Sequence, residues 1–378
     1  MNNEHIKNIL TLRYDPTTKP AIDYKTWEDF QPTELDNHGY RIEQKLSDHV
    51  IDEADHYDRI GISLSSGVDS MLLAKMIGEL SPKSKLIAFH YCGINDETNE
   101  VIKFCSDNKI ELKLIPQINL VESIPKMVNI TNEPSWDAFN YVLFEEAKKN
   151  NCDVLVTGDG ADEILGGYIF RYKDIYPELN PDERVWSYIQ CHKRDYVEDQ
   201  AQLFHKDMEF DWEHIKALLL RWFDNPLANI GQIFLADYNG KLAHNFIPRD
   251  RKFECYFGIM KWCPYMHYDV ADLCCRIGYD HKVYGDIGKI PLRKIAERYR
   301  IHPSTEKFGF SHDVIAEWKK LGTQGINSLM KGSNQIFQQK IINREWLQRH
   351  LITDSNDVRF VNKFLSLMTL EYWLMMQE

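Results

Sequence analysis

Two segments of this chain share one plan: a short apolar strand, a turn of small residues, then the start of a helix. Residues 60–80 run Ile-Gly-Ile-Ser-Leu-Ser-Ser-Gly-Val-Asp-Ser into an apolar stretch ending at Leu80. Residues 153–168 run Asp-Val-Leu-Val-Thr-Gly-Asp-Gly-Ala-Asp-Glu-Ile-Leu-Gly-Gly-Tyr. Strands that alternate with helices predict an α/β fold, a parallel sheet flanked by helices, with both turns at the carboxyl edge of the strands, where such sheets take their ligands. The first turn, Ser65-Ser66-Gly67-Val68-Asp69-Ser70, offers backbone N–H groups and hydroxyls at a helix N-terminus. Orphan donors and the helix dipole both favour an anion there. Asp69 would repel bound phosphates unless a divalent cation lay between, so the turn implies a phosphate chain carried with Mg²⁺. An ordinary strand-to-helix turn with Ser at the N-cap would account for one such segment. The second adds Asp159, Asp162 and Glu163 at one strand end, a crowding that is costly without a cation or a catalytic role.

Further strands are expected at 86–90 and 110–115, with helices at 41–55, 97–108 and 137–149. Residues 1–40 are polar and broken by Pro16, Pro20 and Pro32, which predicts an N-terminal arm laid over the body rather than an independent core. Residues 41–185 then form a nucleotide-binding core. Residues 186–378 read as a mainly helical part, its many Trp, Tyr and Phe residues serving as core rather than as a cofactor box.

The 378 residues suffice for about two or three domain-sized units. No apolar run approaches a membrane span, and the start, Met-Asn-Asn-Glu-His-Ile-Lys, has no secretory pattern; a cytoplasmic enzyme is expected. A net charge of −12 argues against a nucleic-acid backbone as main ligand. The eight cysteines contain no Cys-x-x-Cys, which weighs against sulfur transfer. Cys255, Cys263, Cys274 and Cys275 fit no common zinc spacing and are expected to be buried free thiols.

The pair "SSGVDS" and "TGDGADEILGGY" resembles the synthetase domain of the asparagine synthetases, within the ATP pyrophosphatase (adenine nucleotide alpha hydrolase-like) group that includes the β-lactam synthetases. The likeness runs from about residue 40 to about residue 320. "YGDIGKIPLRKIAERY" (284–299) is similar to the family's Gly-Lys-x-x-Leu-Arg segment, and "EKFGF" (306–310) to its Lys-x-Gly-Phe segment. The resemblance implies an ATP-dependent, AMP- and pyrophosphate-forming amide ligase using Mg²⁺. A carboxylic acid would be activated as its acyl-adenylate for attack by ammonia or an amine. It implies that Ser65, Ser66, Gly67, Asp69 and Ser70 hold pyrophosphate, that Asp69 and Asp162 hold the metal, and that Leu64, Thr157 and Gly158 contact adenosine. By the same resemblance Asp159 stands near the incoming nitrogen, Lys289 faces the reacting acyl-phosphate, and Lys307 contacts phosphate.

Family members that take nitrogen from glutamine carry an N-terminal glutaminase domain whose first residue after Met is a cysteine nucleophile. Here residue 2 is Asn and the earliest cysteine is Cys92. A synthetase part acting without glutaminase is therefore expected, fed by free ammonia, by a substrate amine, or by a separate ammonia-supplying protein. Two departures stand out. Ser66 replaces a Gly of the family loop, where a positive φ would strain it and its hydroxyl would add a phosphate contact. The family's Glu-x-Arg-x-Pro run has become Met260-Lys261-Trp262-Cys263-Pro264, so an acceptor less charged than aspartate is expected, as in a β-lactam-synthetase-like cyclising or amidating reaction. A nucleotide-binding regulatory protein without turnover is the alternative of another class; the retained Asp69, Asp159, Asp162 and Lys289 speak against it.

Overall fold

The computed structural model describes residues 3–94, 97–172, 179–192, 196–304 and 312–377. Its centre is a parallel sheet of five strands in the order β3-β2-β1-β4-β5: β1 (Arg59–Ser63), β2 (Lys85–Tyr91), β3 (Glu111–Ile115), β4 (Val154–Val156) and β5 (Met260–Trp262). Because side chains alternate along a strand, the sheet feeds two cores, one on each face. Ile60, Ile62, Leu86, Ala88, Val154 and Val156 pack on one face; Ile87, Phe89, Tyr91 and Leu155 pack on the other. Burial on both faces explains the near-continuous Val, Ile and Leu runs. It contributes roughly 2 kcal/mol for each large side chain fully removed from water.

The helices that follow in chain order are α1 (Asn3–Leu12), α2 (Tyr40–Ala54), α3 (Val68–Leu80), α4 (Thr98–Asn108), α5 (Ile124–Thr131), α6 (Tyr141–Lys149) and α7 (Ala161–Leu165). α2 and α3 pack on the first face through Ile42, Leu46, Leu72 and Met76. α1, α5 and α6 pack on the second through Ile6, Leu10, Met127 and Phe144. The helix α1 and the strand β5 were not apparent in the sequence. Residues 1–12 look polar overall, yet Ile6 and Leu10 stand one helical turn apart and are fully buried. β5 has only three residues; its pairing with β4, Val154 opposite Met260 and Val156 opposite Trp262, makes it a strand.

Beyond residue 180 the described chain is otherwise mainly helical. One continuous helix runs from Asn229 to Phe257, wound as a π-helix from Tyr238 to Phe246. Where the winding changes, buried Asp237 accepts the hydroxyls of Tyr172 and Tyr188, each at 2.6 Å, and pairs with Lys241 at 2.6 Å. Among the described residues no helix is long and apolar enough to cross a membrane. All eight cysteines are free thiols, but Cys255 is exposed and Cys92 and Cys263 are half-buried, so the expectation of burial holds for Cys274 and Cys275 and fails for Cys255.

One buried charge has a measurable consequence. The Lys282 ammonium lies between the Phe30 and Phe234 rings and donates to the Cys275 carbonyl at 3.3 Å. Burial pushes its pKa down to about 8. The unfolded chain therefore binds more protons than the fold between about pH 8 and 10.4, and stability should rise with pH across that window. Lys282→Met should stabilise the protein at pH 7 by about 2 kcal/mol, a gain that shrinks towards zero near pH 10. Urea midpoints at the two pH values check this; an equal gain at both would mean that charge burial is not the cause.

Candidate active site

In the order β3-β2-β1-β4-β5 the chain builds outward from β1 in one direction and then returns to the other side at β4. The reversal opens a crevice between the carboxyl ends of β1 and β4, where ligands of such sheets sit. Both small-residue turns leave from those two strands.

The first turn is pre-shaped. α3 is capped by Gly67, and its hydrogen-bond ladder begins with the Met71 N–H donating to the Gly67 carbonyl. The N–H groups of residues 68–70 lie outside that ladder, at the positive end of the helix dipole. The Ser65 N–H donates to Ser70 Oγ at 3.0 Å, and Ser65 Oγ accepts the Gly67 N–H at 3.2 Å. Leu64 is held by the His90 ring, whose Nδ1 donates to its carbonyl at 2.9 Å. Ser66 behaves differently from expectation. It has no positive φ, so serine is tolerated without strain. Both its N–H and its hydroxyl donate to buried Glu97, at 2.8 and 2.7 Å, so its side chain braces the turn and is not offered to a phosphate.

The second turn lies against the first. A Cβ on Gly158 would stand 2.9 Å from the Asp69 Cβ, and one on Gly167 would stand 1.7 Å from Asp162 Oδ1 and 2.5 Å from Lys289 Cε. Only glycine permits either approach. The Thr157 N–H donates to the Trp262 carbonyl at 3.0 Å, tying the turn to β5, and the Thr157 hydroxyl donates to Asp159 at 2.9 Å.

A third segment brings the cation. Lys289 caps the helix Ile290–Arg298 with a left-handed backbone, φ 60, and its N–H donates to the Leu165 carbonyl at 2.9 Å. Pro291 falls in the first helical turn, where a missing N–H breaks no ladder bond. The Lys289 ammonium pairs with Asp69 and, at 2.5 Å, with Asp162. Burial would lower its pKa, but the two carboxylates outweigh burial and raise it. Arg293 fastens the segment to the first turn. It donates to the Gly288 and Ser304 carbonyls at 3.2 Å each, and the Ser304 N–H donates to the Ser66 carbonyl at 3.0 Å. Lys307 and the Lys-x-Gly-Phe segment lie outside the described residues.

Sequence reasoning missed Lys261. Its ammonium, with 6% of the side chain exposed, pairs with Asp159 at 2.5 Å and with Asp250. Burial alone would raise the Asp159 pKa; Lys261 and the Thr157 hydroxyl outweigh burial and hold it below the usual range. The alternation of β5 places Met260 and Trp262 on the opposite face from Lys261. Met260 is 57% exposed. The Trp262 indole donates to His49 at 2.9 Å, and the Tyr265 hydroxyl donates to the Asp69 carbonyl at 3.1 Å. These three side chains do not wall the cleft beside Asp159, so the argument for a less charged acceptor loses its geometric footing. The missing signal was β5 itself, whose alternation would have marked Lys261 as inward-facing.

Among the described residues no three His, Cys, Asp or Glu side chains gather to hold a metal unaided. Asp69 and Asp162 do converge on one cationic centre, the Lys289 ammonium. A pair of carboxylates completed by phosphate oxygens and water suits Mg²⁺, which keeps several waters and is commonly held by one or two carboxylates plus substrate phosphates. The residues therefore fit that ion when it arrives with a phosphate chain.

These features place a helix N-terminus, two carboxylates and a lysine together at the switch point of a parallel sheet. The chain matches the asparagine synthase family over residues 41–375 and belongs to it. A putative glutamine-hydrolyzing asparagine synthetase 1 of Methanocaldococcus jannaschii is 25% identical over 181 residues, 45% of this chain and 31% of that protein. The glutamine-hydrolyzing asparagine synthetase 1 of Bacillus subtilis is 27% identical over 201 residues, 48% of this chain and 30% of that protein. The match thus spans about a third of either relative. Among solved structures, the NH3-dependent NAD synthetase of Campylobacter jejuni aligns with 50% of this chain and 93% of its own at 17% identity and a TM-score of 0.28, too loose a likeness to add to the family assignment.

Lys289→Ala leaves Asp69 and Asp162 facing each other without their shared lysine. In metal-free buffer this should cost about 3 kcal/mol, at the low end for removing one partner of a buried pair because both carboxylates keep some solvent. Millimolar Mg²⁺ should recover a good part of the loss in the variant and barely move the parent, read by urea unfolding. Equal response of the two proteins to Mg²⁺ would show that the carboxylate pair is not a cation site.

Proposed function

We propose that the protein is an ATP-dependent, AMP- and pyrophosphate-forming carbon–nitrogen ligase that makes an amide from a carboxylic acid and ammonia or an amine. The observation that carries this reading is the meeting of Asp69 and Asp162, from two turns at the switch point, on Lys289. Family membership over residues 41–375 supports it.

A carboxylate is a poor electrophile until it gains a good leaving group. In the proposed sequence the acceptor carboxylate oxygen attacks the α-phosphorus of ATP, the bond to the β-phosphate oxygen breaks, and pyrophosphate departs. The nitrogen then attacks the acyl carbon, loses a proton, and AMP leaves with the bonding electrons of the C–O bond. The N–H groups of residues 68–70 and the hydroxyls of Ser65 and Ser70 would receive pyrophosphate, and backbone atoms of Leu64, Thr157 and Gly158 would meet adenosine. Asp69 and Asp162 would hold Mg²⁺, which offsets charge on the departing phosphates. Lys289, drawn from the carboxylates to the α-phosphate, would stabilise the charge developing there. Asp159 lies beside the cleft to receive the proton released by the nitrogen.

Asparagine formation is the nearest activity. A cyclising or amidating reaction on another acid is the rival that an acid panel separates from it. ATP–pyrophosphate exchange with a panel of carboxylic acids, aspartate included, should reveal at least one that is activated. Lys289→Ala should slow that exchange by about two to three orders of magnitude, the usual loss for one preorganised charge-stabilising group. Exchange with no acid by a folded protein that still binds ATP would replace the ligase with a nucleotide-binding regulator.

A further inference from the structure

Behind Asp159 runs a line of alternating charge. Lys261 joins Asp159 to Asp250; Arg249 joins Asp250, at 3.4 Å, to Asp137, at 3.6 Å; and Asp137 takes Arg13, at the end of α1, at 2.8 Å. Asn140 adds a hydrogen bond to Asp250 at 3.4 Å. The inner members are almost wholly enclosed, with 4–13% of each side chain exposed, whereas Asp159 shows 38%. Each inner charge is thus shared between two opposite neighbours. The line ends in the cleft on one accessible carboxylate that, among the described residues, pairs with one cation, Lys261.

We propose that Lys261 is the positioning residue for Asp159: it holds the carboxylate turned into the cleft, so that the site recruits its nitrogen reactant as an ammonium group, which passes one proton through Asp159 to water before its lone pair attacks the acyl carbon. Lys261 itself is too enclosed to touch a reactant, and its charge is divided with Asp250. Asp159 therefore keeps net attraction for a second cation on its open side. Other groups facing it are the Thr157 hydroxyl, Arg249 and the Cys263 thiol, whose pKa burial pushes up to about 11, so the thiol is neutral at pH 7. Were Lys261 absent, Asp159 and Asp250 would face each other within a buried gap, and one of them would take up a proton or a cation there. The inference rests on the ligase reading above, but one arm of its test does not.

That arm is a crystal soaked with rubidium, a monovalent cation close to ammonium in size. Rubidium should be found against the Asp159 carboxylate in the parent, and in Lys261→Met it should move into the gap between Asp159 and Asp250. No rubidium at Asp159 in the parent overturns the docking site whether or not the protein is a ligase.

The kinetic arm compares ammonium with hydroxylamine, a nucleophile uncharged at neutral pH, using the acid that gives pyrophosphate exchange. Lys261→Met should raise the KM for ammonium at least tenfold and that for hydroxylamine less than threefold. Lys261→Arg, which also spans two carboxylates, should stay within about threefold of the parent for both. Asp250→Asn keeps a neutral Lys261–Asp159 pair, and so tests the idea if Lys261→Met fails to fold. There the undivided lysine should pull harder on Asp159 and again raise the KM for ammonium selectively. Equal effects on the two nucleophiles in these variants would make Lys261 a merely structural residue. Absence of exchange with any acid in the parent would remove the ligase reading and leave the rubidium result to decide the site.

Discussion

Two carboxylates on different turns cannot share a half-enclosed crevice without a cation between them, and this requirement organises the site. Asp69 sits in the first turn of α3, and Asp162 in the first turn of α7. Their repulsion in a medium of reduced dielectric would separate the turns. Lys289 resolves it by placing one ammonium against both. The backbone of Lys289 takes a left-handed conformation at this position, a cost of order 1 kcal/mol. Lys289 thus supplies a positive charge that both carboxylates share.

The sheet sets the distances that make this possible. Because β1 and β4 are hydrogen-bonded neighbours running in the same direction, Ile60 opposite Val154 and Ile62 opposite Val156, the turns that follow them start side by side. The glycines at 158 and 167 then let backbone and side chains approach closer than any Cβ would allow. β5 extends the same edge, and its inward residue, Lys261, carries a second ion-pair system to Asp159. The crevice is lined by two lysines in different places: Lys289 stands between Asp69 and Asp162, and Lys261 stands behind Asp159.

Much of this was legible in the sequence, for reasons that can be named. Strands β1 to β4 are apolar runs bounded by turn signals, and their limits differ by a residue or two from those read by periodicity. Asp69 and Asp162 stood out as carboxylates crowded at small-residue turns, and Lys289 through the likeness of residues 284–299 to the family's Gly-Lys-x-x-Leu-Arg segment. Lys261 could not be found that way. Its partners are distant in sequence, and the strand that aims it is three residues long within a helical region. Ser66 could be placed but not interpreted, since its partner Glu97 enters from the start of α4. The Tyr265 hydroxyl likewise reaches the Asp69 carbonyl across more than a hundred residues of sequence.

The most direct measurement is a crystal structure of the protein with Mg²⁺ and a non-hydrolysable ATP analogue. The account predicts a triphosphate lying in the turn at residues 65–70, a metal between the carboxylates of Asp69 and Asp162, and the Lys289 ammonium withdrawn from both towards the α-phosphate. A triphosphate bound elsewhere, with Lys289 still paired to Asp69 and Asp162, would contradict it.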